Sequence, residues 1–244
     1  MRSDCPNRRP TRRAALALGL AAAALAGPAR AEEARSIRIG IIGAGHIGGT
    51  IGGLWVKAGH AVMFSSRHPE ELRGLVESLG ANARAGTPAE AIRFGEAVLI
   101  AVPYGAYPQL SRDYAESLKG RVVIDAGNAT EARDGAVYAE VKANGIGATS
   151  AKYWPGAHLV RAFSAANYRV FATNANRPAP RMAIPIAGDD AGALDTVKRL
   201  VSDAGFDPVV VGPIRDADRF AMGSPGFGHD LPAPELRAKL GLDR

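Results

Sequence analysis

The sequence predicts an α/β fold: a doubly wound parallel sheet with a small appended C-terminal α/β part. Short β-branched runs alternate with longer amphipathic ones from Ser36 onward, a glycine-rich loop joins the first run to the first helix, and a looser strand–helix–strand series follows residue 150. Strand–helix alternation of this kind requires right-handed crossovers and buries both faces of the sheet.

The predicted strands are Ser36–Ile42, Ala61–Phe64, Ala97–Val102 and Arg121–Asp125, each short and bounded by Gly, Asn or Pro. Helices are expected at about Ile47–Ala58, Pro69–Leu79, Pro88–Phe94 and Tyr107–Leu118; in the first, Ile47, Ile51, Leu54 and Ala58 recur at helical spacing. The later series gives strands at Leu159–Phe163, Met182–Ala187 and Asp207–Val211 around a helix at Ala191–Ala204. Thr173–Arg181, rich in Asn and Pro, is expected as an exposed loop, and Met222–Pro234 as a lid or crossing segment. The resulting division is a leader over residues 1–31, a nucleotide-binding domain over 36–150 and a smaller substrate or dimerisation part over 151–244.

Charge is unevenly distributed. Of the formal +6, five units lie in the first 31 residues, where six arginines face only Asp4; the rest of the chain carries 24 basic and 23 acidic side chains. That near-neutral remainder, with no interleaving of cations and aromatics, argues against nucleic acid as a partner. The leader pairs Arg12-Arg13 with an apolar run, Ala14 to Ala26, and closes on Ala29-Arg30-Ala31. These features make an export signal cleaved after Ala31, too short to span a bilayer, and Thr11-Arg12-Arg13 resembles a twin-arginine signal. A periplasmic or exported protein with no stable membrane span is expected, ordinary secretion or a retained anchor being the alternatives. Cys5, the sole cysteine, lies in the leader, so the mature chain would have no disulfide, thiolate metal site or cysteine nucleophile.

Gly43-Ala44-Gly45-His46-Ile47-Gly48 follows the first strand and opens the first helix. Gly43 would make the tight turn, Gly45 would let the backbone approach a pyrophosphate, and Gly48 would let helix and strand pack closely. His46 and Ile47 would offer main-chain N–H groups at the positive end of the helix, and His46 would help neutralise a diphosphate. This is a Rossmann-like dinucleotide loop; a glycine-rich turn without ligand is the plainer reading. The second strand runs into Ser65-Ser66-Arg67-His68 with no carboxylate for a ribose 2′-hydroxyl. Ser65, Ser66 and Arg67 instead suit a 2′-phosphate, which favours NADP over NAD. Arg67 and His68 could alternatively be a solvated helix start.

Ligands of such sheets lie outside the carboxyl ends of the strands, so Val102, Pro103 and Asn128 should border the cleft, with Asn128 facing a carboxamide; turn roles fit them equally. Tyr104 and Tyr107 read as packing residues. The five histidines show no metal-ligand spacing, and no nucleophile elbow or carboxylate pair stands out, so no metal is expected and no catalytic residue can be named.

The loop Gly43–Gly48, the Ser65-Ser66-Arg67 ending, Ala101-Val102-Pro103, the run from Pro155 to Phe163, Ile186-Ala187-Gly188-Asp189-Asp190 and Ala204-Gly205-Phe206-Asp207-Pro208-Val209 together resemble the NADPH-dependent deazaflavin (coenzyme F-420) reductase family. The resemblance spans about Ile37 to the tail. It implies hydride transfer between NADPH and a deazaflavin or flavin, often in a homodimer. It also implies that Gly43, Gly45 and Gly48 hold the diphosphate, that Ser66 and Arg67 hold the 2′-phosphate, and that Val102 and Pro103 line the nicotinamide side. Ser164 stands where Asn is common in the family, and Arg161 where Lys is common. Two other functions fit the same residues: a pyrroline-carboxylate-reductase-like reductase of small imines or carbonyls, and an NADP-binding protein without turnover.

Overall fold

The computed structural model describes Met1 and residues 36–242, so the expected leader over residues 1–31 lies outside the described residues. Eight strands form one sheet: β1 (Arg38–Ile42), β2 (Ala61–Ser65), β3 (Ala83–Gly86), β4 (Ala97–Ile100), β5 (Val122–Asp125), β6 (His158–Arg161), β7 (Ala183–Gly188) and β8 (Asp207–Gly212). Their order is β3-β2-β1-β4-β5-β6-β7-β8, and every neighbouring pair is parallel except β6 and β7. The doubly wound parallel core therefore ends at β6. The C-terminal part extends the same sheet with β7 and β8, entered in the opposite direction.

Successive side chains of a strand point to opposite faces, and here both faces are apolar. Ile39, Ile41 and Leu99 pack into one layer with Ile51 and Trp55 of α1 (His46–Lys57); Ile42, Val98 and Ile100 pack into the other with Leu118 of α4 (Tyr107–Leu118). The indole Nε1 of Trp55 donates to the Leu200 carbonyl at 2.7 Å, tying α1 to α8 (Ala191–Asp203) across 145 residues of chain.

Several elements differ from expectation. Pro69–Leu79 is not one helix: a 3-10 turn over Pro69–Leu72 precedes α2 (Arg73–Leu79). The strand β3, Ala-Arg-Ala-Gly, lacks β-branched residues and forms by pairing with β2. The helix α3 (Pro88–Phe94) starts on a Thr87/Glu90 capping box. Beyond β5 lie two helices that periodicity did not reveal, α5 (Glu131–Asn144), interrupted at Gly135, and α6 (Ile146–Tyr153). The expected loop Thr173–Arg181 begins inside α7 (Tyr168–Asn174), capped by the Asn167 side chain. The tail ends in α9 (Ala233–Leu240). No helix among the described residues is long and apolar enough to cross a membrane.

Candidate active site

The carboxyl ends of β1, β2, β4, β5 and β6 open onto two adjoining clefts, of about 710 and 730 Å³, that share Gly45, Val102 and Pro103. The glycine loop lies between them, and each glycine has its own reason. Gly43 has φ +98°, and a Cβ on it would meet the Ala101 carbonyl oxygen at 2.6 Å. A Cβ on Gly48 would stand 2.0 Å from the Gly43 carbonyl oxygen, so α1 and the loop are in direct backbone contact there. A Cβ on Gly45 would meet nothing within 4 Å. Packing therefore does not require glycine at position 45, and the backbone there is open to approach. Gly45 also begins α1 without a side-chain cap, leaving the first N–H groups of the helix to water or a ligand.

The first cleft carries Ser65, Ser66 and Arg67 together. Ser65 differs from expectation: its buried hydroxyl donates to the Ile41 carbonyl at 2.7 Å and serves the sheet, so it offers no free donor. The Ser66 Oγ accepts the His68 N–H at 3.0 Å and keeps its own proton to donate. Arg67 is exposed and has no carboxylate partner among the described residues. The polar ends that remain for a phosphate are thus Ser66 and Arg67.

The second cleft is lined by His46, Ile47, Asn128 and Arg133, by Phe163 and Tyr168, and by Met222 and Phe227 of the tail. His46 stacks on Tyr168, ring centroids 4.2 Å apart and 9° from coplanar. Asn128 Nδ2 donates to the Ser164 carbonyl at 2.6 Å, while its Oδ1 is buried without a partner. Phe163 fixes this arrangement. Its φ of +56°, unusual for a bulky residue, ends β6 two residues before the expected boundary and turns the chain into Ser164.

Beside Asn128 is a buried polar network that sequence reasoning passed over. Asp125 and Arg161, both fully buried, pair at 2.8 Å. Asp125 Oδ1 also accepts the Gly127 N–H at 2.8 Å and the Tyr107 hydroxyl at 2.5 Å, and Arg161 Nη2 donates to the Gly127 carbonyl at 2.7 Å. Both polar groups of Gly127 are therefore fixed by one ion pair. Tyr104 bonds Ser150 at 2.8 Å, and Ser150 in turn accepts from Arg161. Burial, then the neighbouring Asp125 carboxylate, holds both phenols well above the ordinary tyrosine range, so they stay protonated donors. The expected packing roles of Tyr104 and Tyr107 hold, with polar tips added. The available signal was a charge closing each of two short apolar runs, Val122-Val123-Ile124 before Asp125 and Leu159-Val160 before Arg161.

Among the described residues no group of His, Cys, Asp and Glu could hold a metal ion. The orphaned Asn128 Oδ1, the open Gly45 backbone and the unpaired Arg67 all fit a phosphorylated dinucleotide laid across the two clefts. Sheet and glycine loop together define a Rossmann-like α/β fold. Residues 38–129 match the family described as NADP oxidoreductase coenzyme F420-dependent.

Over 180 residues the chain is 27% identical to the Metalloreductase STEAP3 of Rattus norvegicus, covering 74% of this chain and 35% of that protein; it spans about a third of that relative's length. Two solved structures share the fold. A hypothetical protein from Sinorhizobium meliloti is 26% identical, with a TM-score of 0.69 over 81% of this chain and 96% of the other. A candidate F420-dependent NADP reductase from Arthrobacter sp. FB24 is 21% identical, with a TM-score of 0.66 over 80% and 99%.

Proposed function

We propose that this protein transfers hydride between NADPH and a flavin-like or deazaflavin ring. The observation that carries the reading is the composition of the second cleft: no Asp, Glu or Cys lines it, and its two proton-bearing rings, His46 and Tyr168, are stacked on each other. A carbonyl or imine substrate needs a proton delivered to its heteroatom, whereas hydride exchange between two stacked rings depends chiefly on alignment. When bound, NADPH supplies the hydride, two electrons and one proton together.

The chain's own part is to bind and align. The N–H groups at the start of α1 and the open backbone at Gly45 hold the diphosphate, with His46 beside it, and Ser66 and Arg67 hold the 2′-phosphate. Val102 and Pro103, where the clefts meet, border the nicotinamide. Asn128 offers Oδ1 to the carboxamide while Ser164 keeps its Nδ2. The aromatic and thioether wall of Phe163, Tyr168, Met222 and Phe227 excludes water from the ring edges.

The test is NADPH oxidation by the purified protein with FMN, an oxidised deazaflavin or a cyclic imine as acceptor. Turnover with either ring and none with the imine is expected. Turnover with the imine alone makes the protein an imine reductase, and tight NADPH binding with every acceptor silent makes it a binding protein. Residues 1–31 are read as an export signal of twin-arginine type, so Arg12→Lys with Arg13→Lys should retain the precursor inside the cell. Equal export of both forms overturns that reading. A homodimer is the assembly we propose, checked by light scattering.

A further inference from the structure

Arg133, at the start of α5, is held more firmly than its exposure suggests. Its side chain is 48% exposed, yet Nε bonds both carboxylate oxygens of Asp134, at 2.9 and 3.1 Å, and Nη2 bonds Asp134 Oδ2 at 2.8 Å and the Asn128 carbonyl. Asp134, 1% exposed, is itself fixed by the N–H groups of Thr130 at 2.7 Å and Gly105 at 2.8 Å. Nη1 alone has no partner among the described residues. A flexible cation has thus been made into a fixed fork with one tine free, on the wall of the second cleft.

The electrostatics of that cleft point the same way. Arg133 is its one permanently charged lining residue, and no carboxylate lines it. Asp134, paired with Arg133, offsets part of this charge, so what remains for a ligand is the free Nη1, a fixed donor suited to an oxygen that is negative or becomes negative during reaction. Resting on the proposed hydride transfer, we infer that Arg133 binds the hydride acceptor through a ring oxygen and stabilises the charge that arrives there. A flavin-like ring that gains a hydride from NADPH gains two electrons and one proton, hence one negative charge. That charge is spread over its pyrimidinedione oxygens until a solvent proton neutralises it, while the nicotinamide is oxidised. Arg133 therefore reads the pyrimidinedione edge, and acceptors without carbonyl oxygens there are poor ones.

Riboflavin and 5-deazariboflavin, which have the ring but no phosphate, are the probes. Arg133→Met and Arg133→Lys are compared with the native chain by NADP⁺ titration, by ring binding to NADP⁺-loaded protein through ring fluorescence, and by steady-state rates with NADPH. Native-like NADP⁺ affinity, within about twofold, shows that the variants are folded. Arg133→Met should then bind the ring at least about fivefold more weakly and lower kcat by roughly 10²-fold, the loss expected for one electrostatic donor, with Arg133→Lys intermediate. Unchanged ring binding and kcat in both variants overturn the assignment of Arg133 alone, as does a loss of NADP⁺ affinity in step with ring affinity. A native protein that binds NADP⁺ but neither binds nor reduces either ring overturns the hydride-transfer reading, and this inference with it.

Discussion

Asp125 and Arg161 are register partners on neighbouring parallel strands, and they close a 2.8 Å ion pair with neither side chain exposed. The pair links the sheet to the cleft, because both polar groups of Gly127, the residue before Asn128, bond to it. Burial opposes the guanidinium charge, but the Asp125 carboxylate outweighs it and keeps Arg161 charged. Removing one partner strands the other charge. Arg161→Met should cost about 3–5 kcal/mol, lowering Tm by about 10 °C in a chain of this size. Arg161→Lys keeps the charge but not the second arm to Gly127, so it should recover part of the stability while KM for NADPH stays raised. Melting curves and KM check both; an Arg161→Met variant as stable as the native chain contradicts the account.

The glycine loop makes a sharper pair. Gly45→Ala should leave Tm within about 1 °C, since the new methyl has free space, yet weaken NADPH binding at least tenfold by obstructing the diphosphate approach. Gly48→Ala drives a methyl into a backbone oxygen 2.0 Å away and should destabilise by about 1–3 kcal/mol or more. Calorimetry of unfolding and of NADPH binding separates the two; equal loss of stability in both variants removes the ligand role of Gly45.

The proposed preference for NADPH rests on Arg67. An exposed guanidinium with no carboxylate partner among the described residues, beside the Ser66 hydroxyl, suits a 2′-phosphate, and a charge-assisted hydrogen bond is worth about 1.5–3 kcal/mol, roughly a ten- to hundredfold change in affinity. Arg67→Ala should weaken NADPH by that factor and leave NADH unchanged. Parallel losses for both nucleotides would show that Arg67 acts elsewhere.

The Asp134 carboxyl gives a pH signature. Burial alone would raise it, but hydrogen bonds from Arg133 and from the Thr130 and Gly105 N–H groups outweigh burial and hold it below the ordinary range. A carboxyl depressed in the folded state adds stability that is fully present above its unfolded value, about 3.9, and that is lost as pH falls through the folded value. Asp134→Asn should therefore lower Tm at pH 7, and the gap to the native chain should narrow below about pH 4. A gap that stays constant into acid contradicts this assignment.

The parts of the site legible in the sequence are those set by local spacing. The run Gly43–Gly48 and the Ser65–Arg67 ending each lie within one strand–turn segment, where backbone geometry follows from the residues themselves. Even there Ser65 misled, because alternation along β2 turns its hydroxyl into the sheet. What stayed hidden depends on topology. Asp125 and Arg161 are 36 residues apart and meet only because β5 and β6 are neighbours. β3 forms because a strand beside it supplies the pairing that Ala83–Gly86 would not seek alone. α5 shows no helical periodicity because Gly135, at φ +49°, interrupts it, and Arg133 is fixed by contacts to Asp134 and the Asn128 carbonyl that only the fold creates.

Hydride transfer itself is tested most directly by isotope. NADPH deuterated at C4, on one face or the other, is turned over with an oxidised deazaflavin, whose accepting carbon retains the label, and the reduced ring is weighed by mass spectrometry. Deuterium should reach the ring from one face of the nicotinamide and not from the other. A reduced ring that carries no label from either face, or an absence of NADPH oxidation, would contradict the account.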